Sequence, residues 1–166
     1  MRISLDHCLE LRSTSILHQS RPLGFALLCS VVTELIVPDA VYNELVIPGS
    51  ERADAPTMSQ AFWISLRPVK DRAFLDTLPH KLHLGEREAI GLAKELGAVL
   101  LVDEREARKE AHRLGVPYFG SLRILKEVKD RGLAAHIKPI LDDLLQSGTY
   151  ISSALYKEFL RQMGEG

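Results

Sequence analysis

The sequence predicts an α/β fold of three layers, α/β/α, with a mainly parallel central sheet. Residues 84–96 carry apolar side chains along one helical stripe, and Glu88, Lys94 and Glu95 fall off that stripe. Gly97 ends the predicted helix, because glycine adopts the left-handed conformation at little cost. The next residues, 98–102, are all apolar without alternation, which is typical of a parallel strand covered on both faces. Strands and helices alternate along the rest of the chain, which favours the same fold class.

The first strand has two candidate positions. Apolar and polar residues alternate at residues 3–5 and again at 9–11, so the strand could lie at either place. Pro22 and Gly24 then divide the mostly apolar segment 16–32, which indicates two short helices.

Periodicity and turn residues predict the remaining elements. Strands are expected at 35–37, 62–69 (an edge strand, given Pro68) and 116–119. Helices are expected from Pro38 onward, with Val41 and Leu45 inside, and at 105–114, 122–131, 137–146 and 152–162. Residues 47–60 are predicted to be a loop because they are rich in proline, serine and charge.

Length and composition set the class of protein. The chain has 166 residues, which predicts one domain over 1–166, with an uncertain first strand in 1–12 and C-terminal helices in 137–166. The formal charge of −1 does not indicate a strongly basic surface, and two cysteines make no disulfide framework. With no signal peptide and no apolar run of roughly 20 residues, the chain is expected to be a cytoplasmic protein without a membrane partner.

Three acids are candidate metal ligands. Asp103 ends the apolar strand, Glu86 opens a helix, and Glu44 lies in another helix. Each has an ordinary explanation by itself: Asp103 could cap a helix, Glu86 could interact with a helix dipole, and Glu44 could be a surface residue. Together, with no histidine or cysteine partner, they form the oxygen ligand set that suits Mg²⁺ or Mn²⁺.

Several motifs, in this order and spacing, make the chain resemble a known family over roughly residues 13–165. They are Ile36-Val37-Pro38-Asp39-Ala40-Val41-Tyr42-Asn43-Glu44-Leu45, Leu84-Gly85-Glu86-Arg87-Glu88-Ala89-Ile90 with Leu92-Ala93, Leu100-Leu101-Val102-Asp103-Glu104 with Ala107-Arg108 and Ala111, Gly120-Ser121-Leu122 with Ile124-Leu125, Gly132-Leu133, and the ending from Tyr150-Ile151-Ser152 to Gly164-Glu165. The chain resembles the PIN domains, the fold of metal-dependent ribonucleases that includes VapC-like toxins, and within them an uncharacterised bacterial subgroup.

The resemblance implies a function and a set of site residues. Acids at the carboxyl edge of the sheet would bind Mg²⁺ or Mn²⁺ for the cleavage of RNA, with Glu44, Glu86 and Asp103 as the metal ligands. Glu104, where the subgroup usually has a second aspartate, would be a further catalytic acid. Arg108 would orient an acid at the site. The resemblance also implies a homodimer and, for a toxin, an antitoxin protein as partner.

The sequence departs from the family in its first strand. The family has an acid there, and counting back from Pro38 puts that position on Arg12 or Ser13, while Asp6 is too far upstream without a longer loop. An arginine would repel a metal ion and could instead neutralise the other carboxylates. Arg123 is a second departure, because the subgroup usually has glycine there.

Basic residues on one predicted helix are candidate nucleic-acid contacts. Arg105 and Arg108, with Lys109 and Arg113 on the same predicted helix, could contact phosphates, but interleaved glutamates also favour ordinary ion pairs. The histidines have no partners at useful spacing. Trp63 and Tyr118 are expected to be core residues and not stacking platforms.

Three functions are compatible with these observations. The first is a PIN-type endoribonuclease, a class that includes the toxins of toxin–antitoxin pairs. The second is a catalytically impaired PIN-like protein that binds nucleic acid or a partner, favoured if Arg12 forms a salt bridge into the acid cluster. The third, a small nucleotide-binding or receiver-like α/β domain, is disfavoured by the lack of a Gly-rich phosphate loop.

Overall fold

The sheet consists of parallel strands throughout the part of the chain that the structure describes. This computed structural model describes residues 11–13, 22–46, 62–146 and 149–166, and for 11–13, 22–26, 45 and 46 it describes the backbone alone. Five strands occur there: β1 Leu11–Ser13, β2 Leu35–Val37, β3 Ile64–Leu66, β4 Val99–Leu101 and β5 Tyr118–Phe119. They pair in the orders β1-β4-β5 and β2-β3, all parallel. Because β1 and β2 also lie side by side, the two groups are neighbours.

Helices connect the strands and follow the last one. Within the described ranges they are α1 Pro22–Val31, α2 Asp39–Val46, α3 Arg72–Asp76, α4 Leu84–Leu96, α5 Arg105–Arg113, α6 Ser121–Asp130, α7 Lys138–Gln146 and α8 Ser153–Gln162. None of these helices is both long and apolar enough to cross a membrane.

Alternate strand residues enter two separate cores, one on each face of the sheet. In β4, Leu101 packs into a core that contains Leu28 of α1, Val128 of α6 and Leu141 of α7. Its neighbour Leu100 packs into the other core, together with residues of α3, α4 and α5. Successive side chains of a strand point to opposite faces, so helices cover both faces of this sheet. The predicted three-layer α/β/α fold is therefore confirmed.

Several element predictions are confirmed and others are wrong. The helix Leu84–Leu96 ends at Gly97, which has φ of 61° as expected for a left-handed cap. The first strand lies at Leu11–Ser13, nearer to the second of its two candidate positions. Gly24 does not divide a pair of helices, because α1 runs from Pro22 to Val31 without a break. Predictions for residues 1–10 and for the loop at 47–60 lie outside the described residues.

Glu88 is buried, contrary to the sequence prediction. It was expected off the apolar stripe of α4, yet it is only 2% exposed. Its carboxylate accepts hydrogen bonds from Ala40 N at 2.8 Å and from Arg72 Nη1 at 2.5 Å. A buried carboxylate needs such partners, and here it joins the first turn of α2 and the start of α3 to α4.

Glu165 fastens the C-terminal end of the chain to α7. Its carboxylate accepts hydrogen bonds from Ile137 N at 2.8 Å and Lys138 N at 2.9 Å, and from Lys129 Nζ at 2.7 Å. The Lys129 ammonium and then the two amides lower the pKa of Glu165 from its ordinary 4.5 to about 2. The carboxylate therefore acts as a cap for the amino end of α7.

Replacement of Glu165 by glutamine is expected to lower the free energy of unfolding by about 1–3 kcal/mol at neutral pH. A folded-state pKa below the unfolded one stabilises the fold above about pH 4.5, and this contribution is lost as the pH falls toward 2. The difference between wild type and Glu165→Gln in urea unfolding should therefore shrink in acid.

The matched control is Glu158→Gln. Its carboxylate also has a pKa lowered to about 2, by Arg161 first, but its side chain is 45% exposed. Solvent screens such a pair, so this substitution should cost much less. Equal losses for the two variants would contradict the capping role of Glu165.

Candidate functional site

Glu44 lies against the first turn of α4 because Gly85 has no side chain. A Cβ placed on Gly85 would lie 2.9 Å from Val41 Cγ2 and 3.2 Å from Glu44 Oε1. Any larger residue at 85 would push α2 away from α4. The glycine thus permits the close approach that brings Glu44 to the start of the helix that carries Glu86.

Glu86 is the residue at which the carboxylates converge. Its Oε2 accepts a hydrogen bond from His83 N at 2.9 Å, which fixes the side chain at the helix start. Burial raises the pKa of Glu86, and the nearby carboxylates of Glu104 and Glu44 raise it further, against the lowering effect of the His83 amide. The carboxylates of Glu44 on α2 and of Glu104 after β4 therefore lie near enough to Glu86 to affect its charge.

Glu104 is the N-cap of α5. Its Oε2 accepts a hydrogen bond from Ala107 N at 2.6 Å. The other carboxylate oxygen, Oε1, has no hydrogen-bond partner among residues in the described ranges. Helix capping accounts for the position of Glu104 but leaves one oxygen available to another ligand.

Both carboxylate oxygens of Asp103 accept hydrogen bonds from other residues. Its Oδ1 accepts hydrogen bonds from Arg108 Nη2 at 2.8 Å and from Ser121 N at 3.0 Å, and its Oδ2 accepts one from the Ser121 hydroxyl. Arg108 also donates from Nε to Val102 O at 2.7 Å. We call these contacts of Asp103, Arg108 and Ser121 the Asp103 clasp. It joins the chain after β4 and the helix α5 to the first turn of α6. Arg108 thus contacts an acid, and its role in orienting that acid for a function stays a prediction.

Comparison with known proteins decides the family. The sequence model of the family DUF3368, described as a PIN domain, matches residues 14–165. The chain belongs to this PIN domain family. A search among curated proteins gives no significant match.

A solved structure agrees with the fold. The chain is similar to a PilT N-terminus domain protein from the hyperthermophilic archaeon Sulfolobus solfataricus P2, with 16% sequence identity and a TM-score of 0.50. The similarity covers 86% of this chain and 97% of that chain. At this level of identity, the likeness concerns the fold of the PIN domain and not its chemistry.

The first-strand position of this PIN domain lies beside β4. Ser13 pairs in register with Leu101, and Arg12 with Leu100, so the carboxyl end of β1 adjoins the strand that precedes Asp103. The side chains of Arg12 and Ser13 lie outside the described part, as does Asp6. The hypothesis of an Arg12 salt bridge into the acids stays a prediction.

Carboxylates are the chemistry available to a metal ion at this site. Within the described ranges, no group of three or more histidine, cysteine, aspartate or glutamate side chains already has the spacing of a metal site. Glu44, Glu86 and Glu104 nevertheless fit a hard divalent ion in donor type, because they supply only oxygen. Burial is the first cause of the raised pKa of Glu86, and the carboxylates of Glu104 and Glu44 add to it, so a cation beside Glu86 would stabilise its charged form.

Some basic residues of α5 form ion pairs with glutamates of the same helix, and one is exposed without such a pair in the described part of the chain. Lys109 pairs with Glu106 at 2.5 Å and Arg113 with Glu110 at 2.5 Å, as the interleaved glutamates indicated. Arg105 is exposed and makes no ion pair with any residue that the structure describes. Arg105 is therefore the cation of this helix that is best placed to meet a ligand.

Sequence reasoning missed two features of the site. Tyr118 was expected in the core, but it is 37% exposed beside α5, whereas Trp63 is buried as expected. Ser121 belongs to a motif of the family resemblance but received no role there, and the structure shows that it is buried and that its hydroxyl donates a hydrogen bond to Asp103. The motif Gly120-Ser121 was the available signal, because a hydroxyl at a helix start is a common carboxylate partner.

Gly120→Ala is expected to loosen the Asp103 clasp. A Cβ at 120 would overlap Arg108 Nη2 and would lie 2.5 Å from Asp103 Oδ1. Overpacking of this kind costs about 1–3 kcal/mol, measured as a loss in the free energy of urea unfolding.

A double-mutant cycle with Arg108→Ala tests the cause. Removal of the guanidinium takes away one of the two overlapping groups, so the combined loss should be smaller than the sum of the single losses. Strictly additive losses would show that the alanine acts elsewhere.

Proposed function

We propose that this PIN domain is a metal-dependent endoribonuclease that cleaves RNA phosphodiesters with Mg²⁺ or Mn²⁺. The observation that carries the proposal is the approach of two acids to Glu86: Gly85 lets Glu44 lie against the start of the helix that carries Glu86, and the carboxylates of Glu104 and Glu44 add to the effect of burial on the pKa of Glu86. Acids gathered in this way are common at functional sites, and their position at the carboxyl edge of a parallel sheet supports the assignment.

Each acid has a part in the proposal. Glu44 and Glu86 hold the ion, as the family resemblance implies. Glu104 supports a third ligand position, because one of its carboxylate oxygens is not used in capping α5. Asp103 was expected to be a metal ligand itself. Its hydrogen bonds with Arg108 and Ser121 favour a different role, in which Asp103 positions the adjacent Glu104.

A divalent ion at such a site supplies an activated water and stabilises the charge that builds on the phosphate. The chain supplies the geometry. His83 N holds the Glu86 carboxylate, and Ala107 N holds that of Glu104. The Asp103 clasp keeps the end of β4 against α6, so that the acids stay in register with the strand edge.

RNA cleavage by the purified protein, with Mn²⁺ or with EDTA, tests the proposal. Glu86→Gln should abolish cleavage and weaken Mn²⁺ binding in calorimetry. Asp103→Asn should lower activity by about tenfold to a hundredfold, as for a residue that orients a ligand. Glu158→Gln, a distant exposed carboxylate, is the control and should leave activity unchanged.

The proposal fails if wild type neither cleaves RNA nor binds Mn²⁺ while remaining folded. It also fails if cleavage persists in EDTA or in Glu86→Gln, because the acids would then have no part in it.

The second candidate is a PIN-like protein that binds nucleic acid or a partner protein without cleaving. The observation that favours it is the Arg12 or Ser13 at the position where the family has its first acid. Arg12→Asp separates the two functions: a gain of Mn²⁺ binding and cleavage in this variant would show that wild type lacks a ligand.

The family resemblance extends the leading proposal to cellular context. A cytoplasmic toxin that acts as a homodimer and is neutralised by an antitoxin protein would arrest growth when expressed alone. Light scattering of the purified protein tests the dimer directly.

A further inference from the structure

A second, basic pocket adjoins the acidic site. It lies between α5 and β5 and has a volume of about 390 Å³. Its lining residues come from the end of β4, from α5 and from β5; they are Asp103, Arg105, Arg108, Lys109, His112 and Tyr118. Asp103 is thus a wall of the pocket and the chain neighbour of Glu104, so the pocket and the acids share a boundary.

The charge of the pocket favours an anion. Three of its lining residues are cationic, and the carboxylate of Asp103 is already bound to Arg108. Lys109 shares the Glu106 carboxylate with Lys81, which leaves a surplus of positive charge around that acid. Those two ammonium groups lower the pKa of Glu106 to about 2, Lys109 most. Arg105 has no ion-pair partner in the described ranges.

The pocket also contains an aromatic wall. Tyr118 is 37% exposed, although it belongs to a strand of the sheet, and its side chain lines the pocket. An exposed ring beside cations is the combination by which proteins hold single-stranded nucleic acid, because every base can stack on a ring while its phosphate meets a cation. A pocket of this size accommodates a single nucleotide rather than a duplex.

We propose that this pocket binds one nucleotide of a single strand, with its base stacked on Tyr118 and its phosphate held by Arg105 and Lys109. The pocket is a strand-holding subsite next to the acids. Its part in substrate positioning rests on the proposed function, but its binding of a strand does not. The bound strand would continue across Asp103 toward Glu104, where the acids converge.

Fluorescence anisotropy with short labelled RNA and DNA oligonucleotides, single-stranded and duplex, tests the pocket in EDTA, where metal-dependent cleavage is absent. Tyr118→Leu should weaken single-strand binding by about tenfold, and Tyr118→Phe should retain it. Arg105→Gln should weaken binding and reduce the slope of log affinity against log salt by about 0.7. Lys157→Gln on α8, an exposed cation away from the pocket, is the matched control.

Weakened binding in Tyr118→Leu and Arg105→Gln, with unchanged binding in Tyr118→Phe and Lys157→Gln, would support the subsite. Equal affinity of all variants, preference for duplex, or no binding by wild type would overturn it. Arg105 is exposed, so its substitution leaves the fold intact even if Tyr118→Leu does not.

Cleavage assays with the same variants keep the two proposals apart. Loss of binding in the pocket variants together with an inert wild-type enzyme would retain the subsite and reject the nuclease. Metal-dependent cleavage by wild type, together with equal strand affinity of wild type and the pocket variants, would support the nuclease and reject the subsite. If the substitutions weaken the binding of RNA more than that of DNA, the strand that the pocket holds is RNA.

Discussion

The hydrogen bonds of Asp103 hold together the part of the molecule on which both candidate sites depend. A strand end, the helix α5 and the first turn of α6 meet at one carboxylate, which accepts bonds from Arg108 and Ser121. The space around it is so small that residue 120 has no room for a Cβ. A charged group with several donors is a strong, directional anchor, so the relative positions of these elements follow from it.

Opposite charges are separated here over a very short stretch of chain. Glu104 interacts electrostatically with Glu86, whereas Arg105, the next residue, lines the basic pocket beside Tyr118. The N-cap geometry of α5 makes this separation possible, because consecutive residues at a helix start project in different directions. A ligand with a negative backbone could therefore be held on one side of Asp103 while a cation is held on the other.

The sequence predicted the features that arise from local patterns. The continuous apolar run of β4, the periodicity of α4 and the glycine at 97 gave the three-layer fold, because local composition decides them. The burial of Glu88 and the exposure of Tyr118 could not be predicted in this way. Glu88 is stabilised by groups about 16 and 48 residues away, and no pattern within its own helix contains that information.

Any function of the acidic site has to balance the negative charge of Glu86, which is made unfavourable first by burial and then by Glu104 and Glu44. Burial and two neighbouring acids raise the pKa of Glu86, so its negative charge is unfavourable unless a positive group balances it. In the nuclease proposal a divalent ion would balance this charge and support catalysis. In the second candidate function the first-strand arginine would balance it and leave a binding surface. Because β1 runs beside β4 in register with Leu100 and Leu101, the residue at its carboxyl end is positioned to decide between the two. The nuclease proposal and the binding-protein proposal therefore differ in the role of one first-strand side chain and not in the fold.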